Sequence, residues 1–364
     1  MKNLTWQNPE QLFVAQELIN KVKSKCCGIK DNKAFIQKIA REQKYTVNNV
    51  EKVIRLSMIL HDLNTLPVFK GKLLLKGGTG INLVAFEKLP RLSVDLDLDF
   101  AFNVSKEEMI KEREAINQSL KQYFSDNGYK MEPRSSFSLD SFSLHYQTVS
   151  GAKDKIKLDI NYHNRCHILD GQVSEISFPF SITDIPLPVA HVATTELFAG
   201  KIKAFYERCK PRDIYDVFSL ATSGILSTEE ERQLMRKCIV FYSTLGNSDN
   251  PDMLKKDIGK ILDMPFQDIK TQLLPMLHTQ SGKYPKDEIN RAVIDYLNGL
   301  VQLDDSDIEY ITEFYNGNYR PELLFPSDIA QKLSSHPVAL RTQQMIRKEL
   351  TQQTPPQNDD KPVN

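Results

Sequence analysis

Apolar residues recur at three- and four-residue intervals over roughly the first sixty-five positions, and this spacing predicts helices. One apolar stripe runs through PEQLFVAQELINKVKS. A second runs through VNNVEKVIRLSMILHDLNTL, with Val50, Val53, Ile54, Leu56, Ile59 and Leu60 on or near one face. Asn48 or Asn49 is the expected cap of that helix, and Pro67 follows its end. The period changes at Lys72. KLLLK reads as a short buried strand, and SVDLDLDF alternates strictly, as a strand does. Between them lie Gly77, Gly78, Thr79, Gly80 and a short helix, INLVAFEK. Residues 105–127 form a surface helix capped by Ser105, with Gly128 past its end. Strands are expected at 129–133, 136–148 and 154–162. A strand-rich stretch at 174–190 contains Pro179, Pro186 and Pro188, which suit an edge or a linker. From His191 the pattern is helical again, with helices expected at 191–209, 212–222, 227–243, 252–262, 266–277, 285–299, 304–316 and 326–334.

The resulting organisation is α+β. An N-terminal helical segment, 1–70, precedes a mixed core, 71–190, and a helical region, 191–350. The polar, proline-containing tail 351–364 has the composition of a disordered segment. Composition adds limits. The 364 residues carry 47 basic and 47 acidic side chains, with 40% hydrophobic and 26% charged residues. These are the proportions of an ordinary globular chain, and they exclude a disordered chain, a collagen or a disulfide miniprotein. Zero net charge removes the simplest argument for a nucleic-acid binder while leaving room for a local basic groove. There is no run of eighteen apolar residues and no secretory signal, so a cytoplasmic protein without membrane spans is expected. Five cysteines without a Cys-x-x-Cys, two of them the adjacent Cys26 and Cys27, read as reduced thiols.

The chemistry concentrates in SVDLDLDF. Val94, Leu96, Leu98 and Phe100 share one face, while Ser93, Asp95, Asp97 and Asp99 share the other. Same-face neighbours stand about 6–7 Å apart on a strand. Carboxylates so placed repel one another unless a cation lies between them. Hard divalent ions such as Mg²⁺ take carboxylate oxygens together with water and substrate phosphates, so Asp95 and Asp97 form a plausible metal pair. The bland reading is an acidic, solvent-facing strand. A calcium loop is excluded, because Phe100 stands where the turn glycine belongs and Lys106 where the final glutamate belongs. A second strand, DKIKLDINY, alternates Ile156, Leu158, Ile160 and Tyr162 with Lys155, Lys157, Asp159 and Asn161. If the two strands are neighbours, Asp159 completes a three-carboxylate set of the kind that holds two ions for phosphoryl transfer. Lys157 then faces phosphate or orients Asp159, unless it is an ordinary surface lysine.

LLLKGGTGINLVAF reads as strand, glycine turn and helix, which points backbone N–H groups at a phosphate. Thr79 is a candidate helix cap and phosphate donor. The turn is not a P-loop, since Lys76 precedes the glycines, and glycine there can serve backbone conformation alone. Other features point to bland roles. His163, Cys166 and His167 hint at zinc but lack a second cluster. His61 suits a helix end. Phe137, Phe142, Tyr146 and Tyr162 suit a core better than base stacking, and no Gly-x-Ser-x-Gly hydrolase turn is present.

These residues, taken in order, resemble the AbiEii/AbiGii toxin family of nucleotidyltransferases in the DNA polymerase β-like superfamily. The first motif is carried by Gly77, Gly78, Thr79, Arg91, Ser93, Asp95 and Asp97, with Thr79 where the family often has serine. The second is Lys157-Leu-Asp159. The third is the helix ELFAGKIKAFYER, with Lys201 as the equivalent lysine and Lys203 the alternative. The fourth is Arg212-Asp213-Ile-Tyr-Asp216. The matched stretch runs from about residue 50 to 222. The resemblance implies a mixed sheet with the aspartates on adjacent strands, and a helical half closing the cleft. It implies an NTP substrate with Mg²⁺, or Mn²⁺ in its place. Asp95, Asp97 and Asp159 are then the metal ligands and Lys201 and Asp213 further catalytic residues. Gly77, Gly78, Thr79, Arg91, Ser93, Lys157, Lys201 and Arg212 hold the nucleotide. It also implies a growth-blocking toxin of phage defence, a winged-helix antitoxin partner, and an RNA acceptor such as a tRNA 3′ end.

Helical spacing leaves several roles open. Lys201 and Arg208 are seven apart and share a face, suited to a triphosphate or to solvent. Asp213 can cap its helix, orient Lys201 or act as a base, and Asp216 shares its face. Two other outcomes compete with RNA transfer: nucleotidylylation of a protein or small molecule, and nucleotide binding without turnover.

Overall fold

The structure, a computed structural model, describes residues 32–246, 250–278 and 284–353. The helix expected at 9–24, the Cys26-Cys27 pair and the tail beyond residue 353 lie outside the described residues. Two helices, α1 (Asn32–Gln43) and α2 (Val47–Thr65), lead into β1 (Leu73–Lys76) and α3 (Gly77–Val84). There follow β2 (Asp95–Phe100), α4 (Lys106–Asp126), β3 (Lys130–Ser135), β4 (Leu139–Gln147), β5 (Lys153–Asn161), β6 (Gln172–Ser177) and β7 (Pro186–His191). The remainder is helical: α5 (Thr194–Arg208), α6 (Pro211–Ser223), α7 (Glu229–Thr244), α8 (Ile258–Ile261), α9 (Phe266–Gln272), α10 (Lys286–Leu300), α11 (Asp305–Tyr315), α12 (Ser327–Leu333) and α13 (Pro337–Gln353).

The strands form one seven-stranded sheet in the order β3-β4-β5-β2-β1-β7-β6. Only β2–β5 and β1–β7 are parallel neighbours. The alternation along each strand explains how the sheet is clad. Leu96, Leu98, Phe142, Leu144, Ile156, Leu158 and Ile160 point to one face, where α1, α2 and α4 cover them with Ile54, Ile116, Leu120 and Phe124. On the opposite face, Leu74 and Ala190 belong to a second core with α5, α6, α7 and α10. That helical half covers β1 and β7. The polar face of β3, β4 and β5 stays open, with Lys153, Lys155 and Lys157 exposed.

Several local expectations are corrected. The cap of α2 is Thr46, whose Oγ1 accepts from Asn49 N at 3.3 Å, and not Asn48 or Asn49. His191 ends β7 instead of opening a helix. Pro186 and Pro188 lie on a strand flanked by two neighbours, not on an edge. Ala190 N donates to Asn64 Oδ1 at 2.8 Å, away from β6. Proline nitrogens two and four residues back face the same way, and β1 meets β7 only at the Leu75–His191 register. No ladder bond is lost. The helix at 337–353 escapes the sequence pattern. Proline is tolerated in a first turn, and His336 Nδ1 accepts from Ala339 N at 3.2 Å in place of a serine cap.

Candidate active site

Strand register brings the acidic residues together. On the β2–β5 ladder Asp97 stands opposite Asp159, and Asp95 opposite Lys157. On the other side Lys76 of β1 stands opposite Asp97. One row thus crosses the sheet as Lys76, Asp97, Asp159 and Ser141, the last donating to Asp159 Oδ1 at 2.7 Å. The row lies where the covering helices end and the open face begins.

The three aspartates of β2 live in different surroundings. Asp99 is buried, ion-paired to Lys76 Nζ at 2.5 Å and 3.1 Å from His167 Nε2, so it is committed to the fold. Asp97 is half-buried. Desolvation raises its proton affinity, the Lys76 cation pulls it down, and Asp159 and Asp95 push it up again; the net is upward. Asp95 is open to the cleft, with Arg212 Nη1 3.9 Å away. Asp159 accepts from Lys157 Nζ at 2.5 Å. Burial works against the charge on Lys157, but Asp159, Asp97 and Asp95 outweigh it and raise its proton affinity.

α3 begins directly at the end of β1, without the intervening turn expected. Gly77 has φ 66°, and a Cβ there overlaps the Asp97 carboxylate. A Cβ on Gly78 comes within 2.7 Å of Arg91 Nη2. The glycines are therefore required by conformation and by close packing against the acidic strand. Gly77→Ala is expected to destabilise by about 1–2 kcal/mol from the left-handed backbone alone and to displace Asp97, so transfer activity falls further than stability. An alanine variant with parental activity and melting temperature would show that Asp97 gives way freely.

Two residues expected to touch the nucleotide are turned inward. Thr79 is inside the helix, so it is not the cap. It is buried, donates to Asp95 O at 2.5 Å, and lies 2.9 Å from Ser93 Oγ. Arg91 is 2% exposed, with Nε and Nη2 each 2.7 Å from the Asp216 carboxylate. Burial makes these side chains parts of the scaffold under the cleft. Ser93 stays half-buried at the cleft floor.

The later motifs converge on that scaffold. Lys201 is 8% exposed and bridges Asp213 at 2.8 Å and Asp216 at 3.0 Å, whereas Lys203 pairs locally with Glu207. Of the two lysines, only Lys201 reaches the buried acidic pair. Asp213 also accepts from Arg208 Nε at 3.1 Å and Lys210 N at 3.2 Å. Burial pushes the Asp213 and Asp216 carboxyls up, but Lys201 with Arg208, and Arg91 with Lys201, hold them below the usual range. A carboxylate so occupied caps and orients and is poorly suited to accept a proton as a base. Lys201 also contributes to lowering Asp97, so its field reaches the acidic row.

Sequence reasoning left out Lys76 and Ser141 as site residues and leaned to solvent for Arg208, which instead pairs with Asp213. Lys76 and Ser141 carried a signal, since each occupies the polar position of a strand whose register puts it beside an aspartate. Cys166 Sγ meets Lys332 O, His167 meets Asp99, and among the described residues no three His, Cys, Asp or Glu groups converge in metal-binding geometry. Phe142, Tyr146 and Tyr162 are core residues, and Phe137 is exposed. No described helix is long and apolar enough to cross a membrane.

The sequence pattern of a known family, "Nucleotidyl transferase AbiEii toxin, Type IV TA system", matches residues 59–289, more than half the chain. Among solved structures, MenT4, a nucleotidyltransferase toxin from Mycobacterium tuberculosis H37Rv, superposes with a TM-score of 0.55 at 15% identity, covering 84% of this chain and 98% of that one. That likeness concerns the fold. No curated protein sequence matches the chain.

Proposed function

The chain belongs to the AbiEii family of nucleotidyltransferase toxins of type IV toxin–antitoxin systems, and on that premise we propose that it moves a nucleotide from an NTP to an RNA 3′ end, that of a tRNA above all. The observation that carries the reading is the row in which Asp97 faces Asp159 on adjacent strands, with Asp95 one position along. Asp97, raised in proton affinity by desolvation and by its acidic neighbours, is a carboxylate in want of a cation. Asp95, Asp97 and Asp159 are the carboxylates that would hold Mg²⁺, and they must draw together from their present spacing to do so. Lys157 and Arg212 now lie against Asp159 and Asp95, and they must turn away for an ion to be held. Mg²⁺ bound there supplies charge neutralisation and activation of the attacking hydroxyl.

The rest of the chemistry falls to the chain's own residues. The acceptor 3′ oxygen bonds to the α-phosphorus, the bond to the β-phosphate bridge breaks, and pyrophosphate leaves. The N–H groups opening α3, from Gly77 and Gly78 onward, lack helical partners and face anionic oxygen. Arg212 and Lys157, once released, contact the triphosphate, and Lys201 contributes its field from below. Thr79 acts through the Asp95 carbonyl that it holds, Ser93 through Thr79, and Arg91 through the Leu92 carbonyl and the Asp216 carboxylate. Asp213 positions Lys201. The enzyme works in the cytoplasm, is neutralised by a winged-helix antitoxin, and blocks growth during phage attack.

Purified protein with each α-³²P-labelled NTP, Mg²⁺ and bulk tRNA tests the reading, with Asp95→Ala beside it. Label on tRNA from one NTP, absent in the variant, is expected. Label on protein instead would replace the RNA acceptor, and tRNA labelling that survives in the variant would displace the aspartates from the centre of the reaction.

A further inference from the structure

The active row does not stop at Asp159. Register carries the same sheet face outward from the catalytic carboxylates across β5, β4 and β3. Lys157 pairs across to Ser143, Lys155 to His145 and Lys153 to Gln147. On β3, Arg134 stands opposite Ser141 and Lys130 opposite His145. The opposite face of these strands is sealed by α4, whereas Lys130, Arg134, Lys153, Lys155 and Lys157 are exposed. Glu132 is the one acidic residue on this part of the face, and it is held by Lys130 at 2.9 Å and His145 at 3.0 Å. Lys153, Lys155 and Arg134 form no ion pair among the described residues. A chain of zero net charge therefore concentrates unpaired cations on a surface that ends at its own catalytic aspartates.

We propose that this open face of β3, β4 and β5 is the track that seats the polyanionic acceptor, with an RNA backbone lying along Lys153, Lys155 and Lys157 toward Asp159. The proposal rests on the RNA-acceptor reading above and adds the surface that enforces it. Three features favour this occupant. The lysines repeat every second residue, about 6–7 Å apart, which matches successive phosphates of an extended strand. They are interleaved with serine, glutamine and histidine, which donate to phosphate and sugar oxygens. The face has no apolar centre of the kind a stable protein interface uses. Phosphate contacts of this sort position the strand without reading its sequence, so end chemistry and not base identity selects the acceptor.

The test is anisotropy of fluorescein-labelled bulk tRNA titrated with the full-length protein at several salt concentrations. Lys153→Gln/Lys155→Gln is compared with Lys111→Gln/Lys121→Gln on α4, which changes net charge equally on the far face. The track variant is expected to bind roughly tenfold more weakly, with the slope of log affinity against log salt reduced by about 1 per lysine. The α4 variant is expected to keep the parental slope. Equal binding by the track variant and the parent, or an equal loss in the α4 variant, would overturn the proposal. Labelled-NTP transfer separates the two readings. A parent that labels tRNA while the track variant keeps its KM for tRNA leaves the reaction standing and removes the track. A parent that binds tRNA through these lysines yet labels only protein leaves the track and removes the RNA-acceptor reaction.

Discussion

Asp97→Asn is expected to abolish nucleotidyl transfer while leaving the protein as stable as the parent or more so. The loss in rate should be on the order of a thousandfold or more, because each ~1.4 kcal/mol of lost charge stabilisation is a factor of ten and a metal-held centre supplies several kcal/mol. Stability moves the other way for an electrostatic reason. Desolvation, opposed by Lys76 and reinforced by Asp159 and Asp95, raises the proton affinity of Asp97 above that of the unfolded chain. Between the unfolded and the folded pKa the native state therefore binds more protons than the unfolded one, and stability falls as pH rises through that window. Asparagine removes this penalty and nearly preserves shape. Thermal melts of parent and variant, with and without Mg²⁺ and NTP, check both halves. The parent should gain melting temperature on adding ligand, by mass action, and the variant should gain little. A variant that melts well below the parent without metal would mean that Asp97 is a structural anion, and the case for a cation beside it would lapse.

How far the sequence reached follows the range of each interaction. Period-two alternation placed Asp95 and Asp97 on one face of a strand and Asp159 on one face of another, because that property is local. Their adjacency was conditional, since the ladder joins residues about sixty apart through a helix and two strands. The resemblance to the toxin family supplied it. Burial was the less legible quantity. Thr79 and Arg91 have side chains that suit phosphate, and the sequence says nothing of the Asp95 carbonyl or of the Asp216 carboxylate, 125 residues from Arg91, that take them instead. Pro186 and Pro188 were misplaced for the same reason: an edge position and an interior position whose neighbouring strand is short look alike in one dimension. Lys201 and Asp213 were named from helical motifs, and the structure joins them by a 2.8 Å ion pair that spacing alone left open.

Asp216→Asn is expected to be the most damaging change to the fold. The Asp216 carboxylate is 1% exposed and serves two buried cations, receiving Arg91 through two hydrogen bonds and Lys201 through an ion pair. Arg91 belongs to the segment leading into β2, Lys201 to α5 and Asp216 to α6, so one side chain ties the acidic strand to the helical half. Removing its charge leaves Arg91 buried without a carboxylate and Lys201 with Asp213 alone, and breaking a buried pair in this way costs about 3–5 kcal/mol. The pH dependence has a definite sign. Burial alone raises the Asp216 carboxyl, but Arg91 and Lys201 outweigh it and hold it below its usual value. The stability it contributes is complete above the unfolded value, near pH 4, and is lost as pH falls through the folded value. The parent should therefore lose this contribution in acid and the variant should have little of it to lose. Activity separates anchoring from catalysis. If Asp216 acts only by anchoring Arg91 and Lys201, folded Asp216→Asn protein at low temperature should bind NTP more weakly and still label tRNA, unlike Asp97→Asn. Denaturant melts across pH 3–7 and transfer assays at 10 °C measure the two effects. A variant that unfolds at the parental denaturant concentration would show that Arg91 and Lys201 find other partners, and the link between the helical half and β2 would have to lie elsewhere.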